Sequence, residues 1–296
     1  MPMSGATIEG TTLDHVAHAV HNWSDVWDLY ATELGAVWNS GGAVPGYAPG
    51  QIRFGNGARA EMLMPNEVAE NDFLTRFLAR SGPGPHHLTF KVPDLEVALA
   101  HIREEGIEPI GINTSQPVWM EAFIHPKQST GVVVQVAQGA DYESAGSTPD
   151  GFPTARRLRP QGDGPARPAS LTRVVHAVAD LDEATSLFSR LLGGSIIDEG
   201  STSDARWTTL EWQGPLGMQL VAPVDARPSG PLIEWLGGRP GRIHHLELSV
   251  EEPQAIKGVV PAGPFLDGIA GRGSAAGRWV IRPEDNAGLA LVLAGF

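Results

Sequence analysis

Residues 85–92 read PHHLTFKV, and 158 positions later residues 243–250 read IHHLELSV. Each opens with a histidine pair and then alternates apolar and polar residues, the pattern of a half-buried strand. The same displacement recurs along the chain. LDHVAHAV (13–20) returns as LTRVVHAV (171–178), and ARAEMLMP (58–65) returns as GMQLVAP (217–223). GVVVQVAQ (131–138) returns as GLALVLAG (288–295), displaced by 157. A near-constant offset over four motifs means a duplicated unit, which has to be recognised before any fold is assigned. A finer period lies inside each copy. His15 and His87 stand 72 residues apart, as do Arg173 and His245. His15 to Glu61 spans 46 residues and His87 to Gln135 spans 48, so each copy is itself two similar quarters.

At 296 residues the chain accommodates two modules of roughly 135 to 140 residues, each large enough to bury its own core. It has no cysteine, which removes disulfide frameworks and thiolate metal sites. A formal charge of −13 argues against a nucleic-acid-binding surface while leaving room for a local basic pocket. MPMSGATIEG carries neither a basic region nor an apolar run, and no 18-residue apolar stretch occurs anywhere, so a soluble cytoplasmic protein, monomer or homodimer, without membrane contact, is the expectation.

The first strand, 13–20, leads into a helix in NWSDVWDLYATELGA, with Ser24 as expected N-cap and Gly35 as stop. Short strands are expected at 36–39, 51–54 and 60–64, separated by the turns Gly41-Gly42, Pro45-Gly46 and Asn56-Gly57. After a helix over 71–80 the βαβββ order restarts at His87. Residues 139–170, rich in Gly, Pro, Ser and Arg without apolar period, read as a linker between a first module at 1–138 and a second at 171–296. Successive strand residues point to opposite sides. Leu88, Phe90 and Val92 therefore face the core, and His87, Thr89 and Lys91 face a concave interior, with His86 on the core side or at the strand edge. His15, Ala17 and Ala19 share a face, the alanines leaving room for a ligand, and His18 points the other way.

Two quarters facing each other bring two imidazoles and two oxygen donors, His15, Glu61, His87 and Gln135, to one centre. Without thiolates such a set suits a divalent Mn, Fe, Co, Ni or Zn ion. Six-coordination leaves two positions for vicinal oxygens of a small-molecule substrate, and the ion acts as a Lewis acid on a carbonyl.

These motifs resemble the vicinal oxygen chelate (glyoxalase-like) superfamily in tandem form, and most the methylmalonyl-CoA epimerase branch. LDHVAHAV is similar to that branch's opening strand, ARAEMLMP to its fourth, GPHHLTFKV to its central strand, and HPKQSTGVVVQV to its closing hairpin. The resemblance implies an α+β fold of two tandem modules, each a pair of βαβββ units forming a half-open barrel. It implies His15, Glu61, His87 and Gln135 as ligands of a divalent metal, with Gln135 departing from the more usual Glu. The branch places its base just before the third strand, where GYAPGQIRF (46–54) has no acid. Glu121, a carboxylate within the apolar strand VWMEAF, is the expected replacement, with Lys91 contacting a distal substrate group about 13 Å from His87 at roughly 3.3 Å per residue. His18 is a weaker candidate.

The second module cannot repeat the centre, because Arg173 is a permanent cation and Val292 has no donor atom. It reads as a degenerate copy that keeps the fold. The alternative for it is an anion pocket around Arg173, Gln219 and His245. The expected activity is a metal-dependent isomerase, epimerase or lyase that abstracts a proton beside a metal-bound carbonyl, stabilising an enolate, on a small molecule such as a CoA thioester. The alternatives are an extradiol-type ring-cleaving dioxygenase and a non-catalytic drug-binding resistance protein of the same fold.

Overall fold

The computed structural model of the protein describes residues 7–139, 165–224, 229–266 and 277–296. The first half runs β1 (Thr12–Ala19), α1 (Ser24–Trp27, continued as a π-helix over Asp28–Glu33), β2 (Val37–Gly41), β3 (Gly46–Arg53), β4 (Arg59–Asn66), α2 (Phe73–Ser81), β5 (Gly84–Lys91), α3 (Leu95–Glu104), β6 (Ile110–Asn113), β7 (Trp119–Ile124) and β8 (Val133–Gly139). The second half repeats it with β9 (Ser170–Val178), α4 (Leu181–Thr185, continued as a π-helix over Ser186–Leu191), β10 (Ser195–Ser201), β11 (Ala205–Glu211), β12 (Gly217–Pro223), α5 (Pro231–Leu236), β13 (Gly241–Val250), β14 (Val260–Pro261), α6 (Gly263–Leu266), β15 (Arg278–Ile281) and β16 (Ala290–Gly295).

Each half forms one eight-stranded sheet with the same order, β2-β3-β4-β1-β5-β8-β7-β6 and β10-β11-β12-β9-β13-β16-β15-β14. In each, the two quarters meet along one antiparallel pair, β1 with β5 and β9 with β13. Those central strands carry the histidine motifs, so the duplicated sequence lands at the duplicated centre. The architecture is mixed α+β, two half-open eight-stranded modules in tandem. Most of the expected linker falls outside the described residues, and β9 begins at Ser170.

Three local expectations change. Ser24 does not cap α1: Trp23 takes the preceding position without a side-chain cap, because an indole has no acceptor, and its Nε1 instead donates to the carbonyls of Ala48 and Met62. The helix also widens, with Leu34 N–H reaching the Leu29 carbonyl and Leu192 N–H reaching Leu187, five residues back in both modules. Strand β3 starts at Gly46 rather than Gln51, since GYAPG pairs with β4 through Gly46↔Asn66 and Pro49↔Leu63 despite its turn-forming composition.

Leu88, Phe90 and Val92 face the core as expected, within one apolar cluster that spans both modules; Phe90 packs on Phe188 and Trp212. The modules also clasp each other reciprocally. His18 Nε2 lies 2.8 Å from the Ala287 carbonyl, and His176 Nε2 lies 2.9 Å from the Thr130 carbonyl. These histidines correspond in the repeat, and both acceptors occupy left-handed turns, at φ 44° and 52°. Beside them the backbones meet so closely that a Cβ on Gly131 would lie 2.2 Å from the Gly241 oxygen, and one on Gly288 would lie 1.9 Å from the Pro83 oxygen. Only glycine tolerates that approach. Burial holds His18 and His176 down at about pKa 4, hence neutral. His18 is thus a residue of the intermodular contact, which removes it from the candidates for proton transfer.

Candidate metal centre

Strand alternation alone does not explain how neighbouring side chains reach the cavity of the first module; two β-bulges do. Against β5, strand β1 pairs Leu13 with Phe90 and then His15 with Thr89, leaving Asp14 as an extra residue. Further along, Ala17 pairs with His87 and His18 with Pro85, leaving His86 extra on β5. A bulge re-aims the side chain of the extra residue. Both extra residues consequently stand beside a candidate ligand on the cavity wall, where His86 was expected on the core side or at the edge.

Asp14 Oδ2 lies 2.7 Å from His15 Nδ1, so the opposite nitrogen, Nε2, is aimed inward. His86 Nδ1 lies 2.9 Å from His87 Nδ1, and again Nε2 points inward. From β4, Glu61 reaches between them: its Oε1 is 3.8 Å from His15 Nε2 and its Oε2 is 3.8 Å from His87 Nε2. One donor atom from each of His15, Glu61 and His87 lies within 4.8 Å of the others. Donors bound at about 2.1 Å to one ion stand roughly 3 to 4 Å apart, so the three side chains would draw together on binding it. The Nε2 of His87 is buried without a hydrogen-bond partner among the described residues. Burial, reinforced by His86 and His15, pushes its pKa well below the usual imidazole range, which keeps the lone pair available. Burial raises Glu61, partly opposed by His15 and the Gln51 hydrogen bond. An orphaned imidazole nitrogen, a buried carboxylate and histidines oriented from behind fit a divalent cation.

Gln135 faces the same cavity from β8, which runs parallel to β5 with Thr89 opposite Gln135. Its Oε1 accepts from Thr89 Oγ1 at 2.5 Å and its Nε2 donates to Glu121 Oε2 at 2.6 Å. Glu121, half-buried on β7, also accepts from Trp119 Nε1 at 2.8 Å, on the same oxygen. Lys91 also lines the cavity, 3.8 Å from Asp14 Oδ1 and over the Trp119 ring at 5.7 Å. Asp14 also pairs with Arg59. Burial alone would raise Asp14, but the His15 hydrogen bond and the charges of His15, Arg59 and Lys91 outweigh it and hold its pKa down. The cavity encloses about 300 Å³ and includes the apolar Leu63, Tyr47 and Phe73. Ala17 and Ala19, expected to leave ligand space, instead receive Leu74 and Leu78 of α2.

The sequence reading missed Asp14, Gln51 and Thr89. Gln51 pairs across β3–β4 with Glu61 and approaches its Oε1 at 3.5 Å. Thr89 Oγ1 lies 2.9 Å from His15 Nε2. Thr89 was on the correct face and could have been included; Gln51 was hidden by the Gly and Pro residues of its strand, and Asp14 by its bulge.

No family model matches the chain, and no curated protein matches it. Among solved structures, a triple mutant of 4-hydroxymandelate synthase from Streptomyces coelicolor aligns over 95% of this chain and 92% of its own, with a TM-score of 0.63 at 12% identity. Methylmalonyl-CoA epimerase from Mycobacterium tuberculosis covers 47% of this chain and 93% of its own, with a TM-score of 0.41 at 23% identity. The near-complete alignment shows the fold: two tandem vicinal oxygen chelate modules. No helix among the described residues is long and apolar enough to cross a membrane.

Proposed function

We propose that this tandem vicinal oxygen chelate fold carries a divalent-metal centre in its first module and performs redox-neutral proton transfer next to a carbonyl, as an isomerase, epimerase or lyase acting on a small molecule. His15, Glu61 and His87 would hold the ion, with Gln135 as fourth ligand. A divalent cation there supplies Lewis-acid polarisation of a substrate oxygen.

The observation that carries the reading is the setting of Glu121. Trp119 and Gln135 both donate to its Oε2, fixing the carboxylate plane, while Oε1 has no hydrogen-bond partner among the described residues. A carboxylate clamped on one oxygen presents the other as a proton acceptor within the same cavity as the ligand set. The amide at Gln135 follows from this. A second carboxylate there would place two anions 2.6 Å apart, a repulsion that the amide avoids. Acid on β7 and amide on β8 therefore belong together. Lys91, paired with Asp14, would have a different task, contact with a substrate group away from the reacting carbon.

Turnover is tested in D2O with a panel of acyl-CoA thioesters and 2-oxo acids. Deuterium is expected at the carbon next to the carbonyl of an accepted compound. Glu121→Gln is expected to slow that exchange by about 10² to 10⁴, the usual scale for a general base, with metal content unchanged. Near-normal exchange in this variant would move the base elsewhere.

A second reading, ring-cleaving dioxygenase, is favoured by one feature: two histidines and one carboxylate form the donor set of an oxygen-activating triad. Oxygen uptake with catechol would select it. Elemental analysis separates a metal-free drug-binding role from both enzymes.

A further inference from the structure

A cleft of about 360 Å³ lies where the two modules meet, on the other side of His86 from the metal cavity. It is framed by the loops that precede β5 and β13, which correspond in the repeat, so each module contributes one rim. Arg80 comes from the first rim; Arg239 and Arg242 come from the second. No acidic side chain lines it among the described residues, although the chain as a whole carries −13.

One of these cations, Arg242, is held in place by its neighbours. The half-buried Arg242 guanidinium lies 4.5 Å from the centre of the Trp235 ring, and its Nη1 donates to the Trp235 carbonyl at 2.9 Å. Neither Arg242 nor Arg239 forms an ion pair among the described residues. Burial, and then the neighbouring charge of Arg239, lowers the pKa of Arg242, the sign of a cation lacking compensation. A partly desolvated charge is costly until an opposite charge arrives. Guanidinium forks match phosphate oxygens in pairs. Junctions between domains are frequent ligand sites, and this volume suits a small molecule.

We propose that the intermodular cleft is a binding site for the phosphate group of a small molecule, gripped by Arg239 and Arg242 with Arg80 opposite. The site is independent of the metal-centre reading. A ligand seated there would rest against Phe77 and His86, whose Nδ1 contacts His87.

The probe is inorganic pyrophosphate, titrated calorimetrically into the full chain in 150 mM chloride, before and after dialysis against a chelator. One site per chain is expected in both preparations. The double variant Arg239→Ala/Arg242→Ala should weaken binding at least tenfold while the thermal midpoint without ligand stays within a few degrees. Arg242→Lys, which keeps the charge but loses the fork, should fall between. Absence of binding, undiminished binding in the double variant, or sulfate binding as tightly as pyrophosphate would each overturn the proposal. Binding that disappears on chelation would assign pyrophosphate to the metal and overturn it too.

Discussion

The two modules have the same strand order and opposite centres. In the first, Glu121 and Gln135 line an open cavity, and Thr89 links Gln135 to His15 through hydrogen bonds. In the second, the corresponding positions carry Arg173, Glu247, Arg278 and Val292, and the centre closes on itself. Glu247 accepts from Arg173 Nη1 at 2.6 Å and from Arg278 Nη1 at 2.8 Å, and lies 3.9 Å from His245 Nε2. Burial alone would raise Glu247, yet His245 and the two guanidiniums hold it at about 2. Gln219, in the place of Glu61, donates to Thr209, in the place of Gln51. Val280, Ala290 and Val292 pack with Leu266 and Phe265 of α6 where the first module keeps open space. One scaffold can hold a cluster of donors that a cation would satisfy, or one whose central carboxylate is neutralised from within, although His245 Nε2, like His87 Nε2, is buried without a hydrogen-bond partner among the described residues. Around its centre the second module fits the degenerate-copy reading better than an anion pocket at Arg173, Gln219 and His245, because Arg173 and Arg278 are already paired with Glu247.

Acid tests the part the modules share. His18 and His176 are neutral in the fold at about pKa 4, against 6.5 for an ordinary imidazole. Their stabilisation is complete above pH 6.5 and is lost as the pH falls towards 4, because only the unfolded chain takes up the protons. Each contributes on the order of 3 kcal/mol over that window. Urea unfolding at pH 7 and 4.5 should show a large drop, reduced in His18→Gln. A flat profile would break the claim of a histidine clasp.

Glu247→Gln attacks only the second centre. It leaves two guanidiniums without their anion, and breaking a buried pair costs about 3 to 5 kcal/mol. The low end is expected, since Arg173 and Arg278 keep some contact with water. A loss below about 1 kcal/mol in urea unfolding would mean the network does not replace the metal energetically.

A smaller effect is expected behind the first centre. Asp14→Asn removes the charge that orients His15 and should weaken divalent-metal affinity about 10- to 100-fold, the usual scale for such partners. Competition with a chelating dye measures it. Unchanged affinity would reduce Asp14 to a partner of Arg59 and Lys91.

The repeat and the four-residue constellation were legible because both depend on sequence spacing, which duplication preserves. Glu61, His87 and Gln135 line one cavity, and a donor atom of His15 lies within 4.8 Å of donors from Glu61 and His87. What lay beyond reach depends on irregularity. A period-2 reading sends alternate residues to opposite faces, so it cannot anticipate the bulges that bring Asp14 beside His15 and His86 beside His87. Turn-forming residues disguised β3 and, with it, Gln51. The space beside Ala17 could not be assigned before α2 was seen to fill it. The hydrogen bond from Gln135 to Glu121 crosses from β8 to β7, and no spacing within one strand reports it, whereas Trp119 stands two residues before Glu121 on the same strand.

The central claim is that one module holds a divalent ion and its twin does not. Elemental analysis of the purified chain, His87→Ala and His245→Ala tests it directly. The account predicts one ion per chain in the unmodified protein and in His245→Ala, and none in His87→Ala. Equal content in all three, or equal loss in both variants, would contradict it.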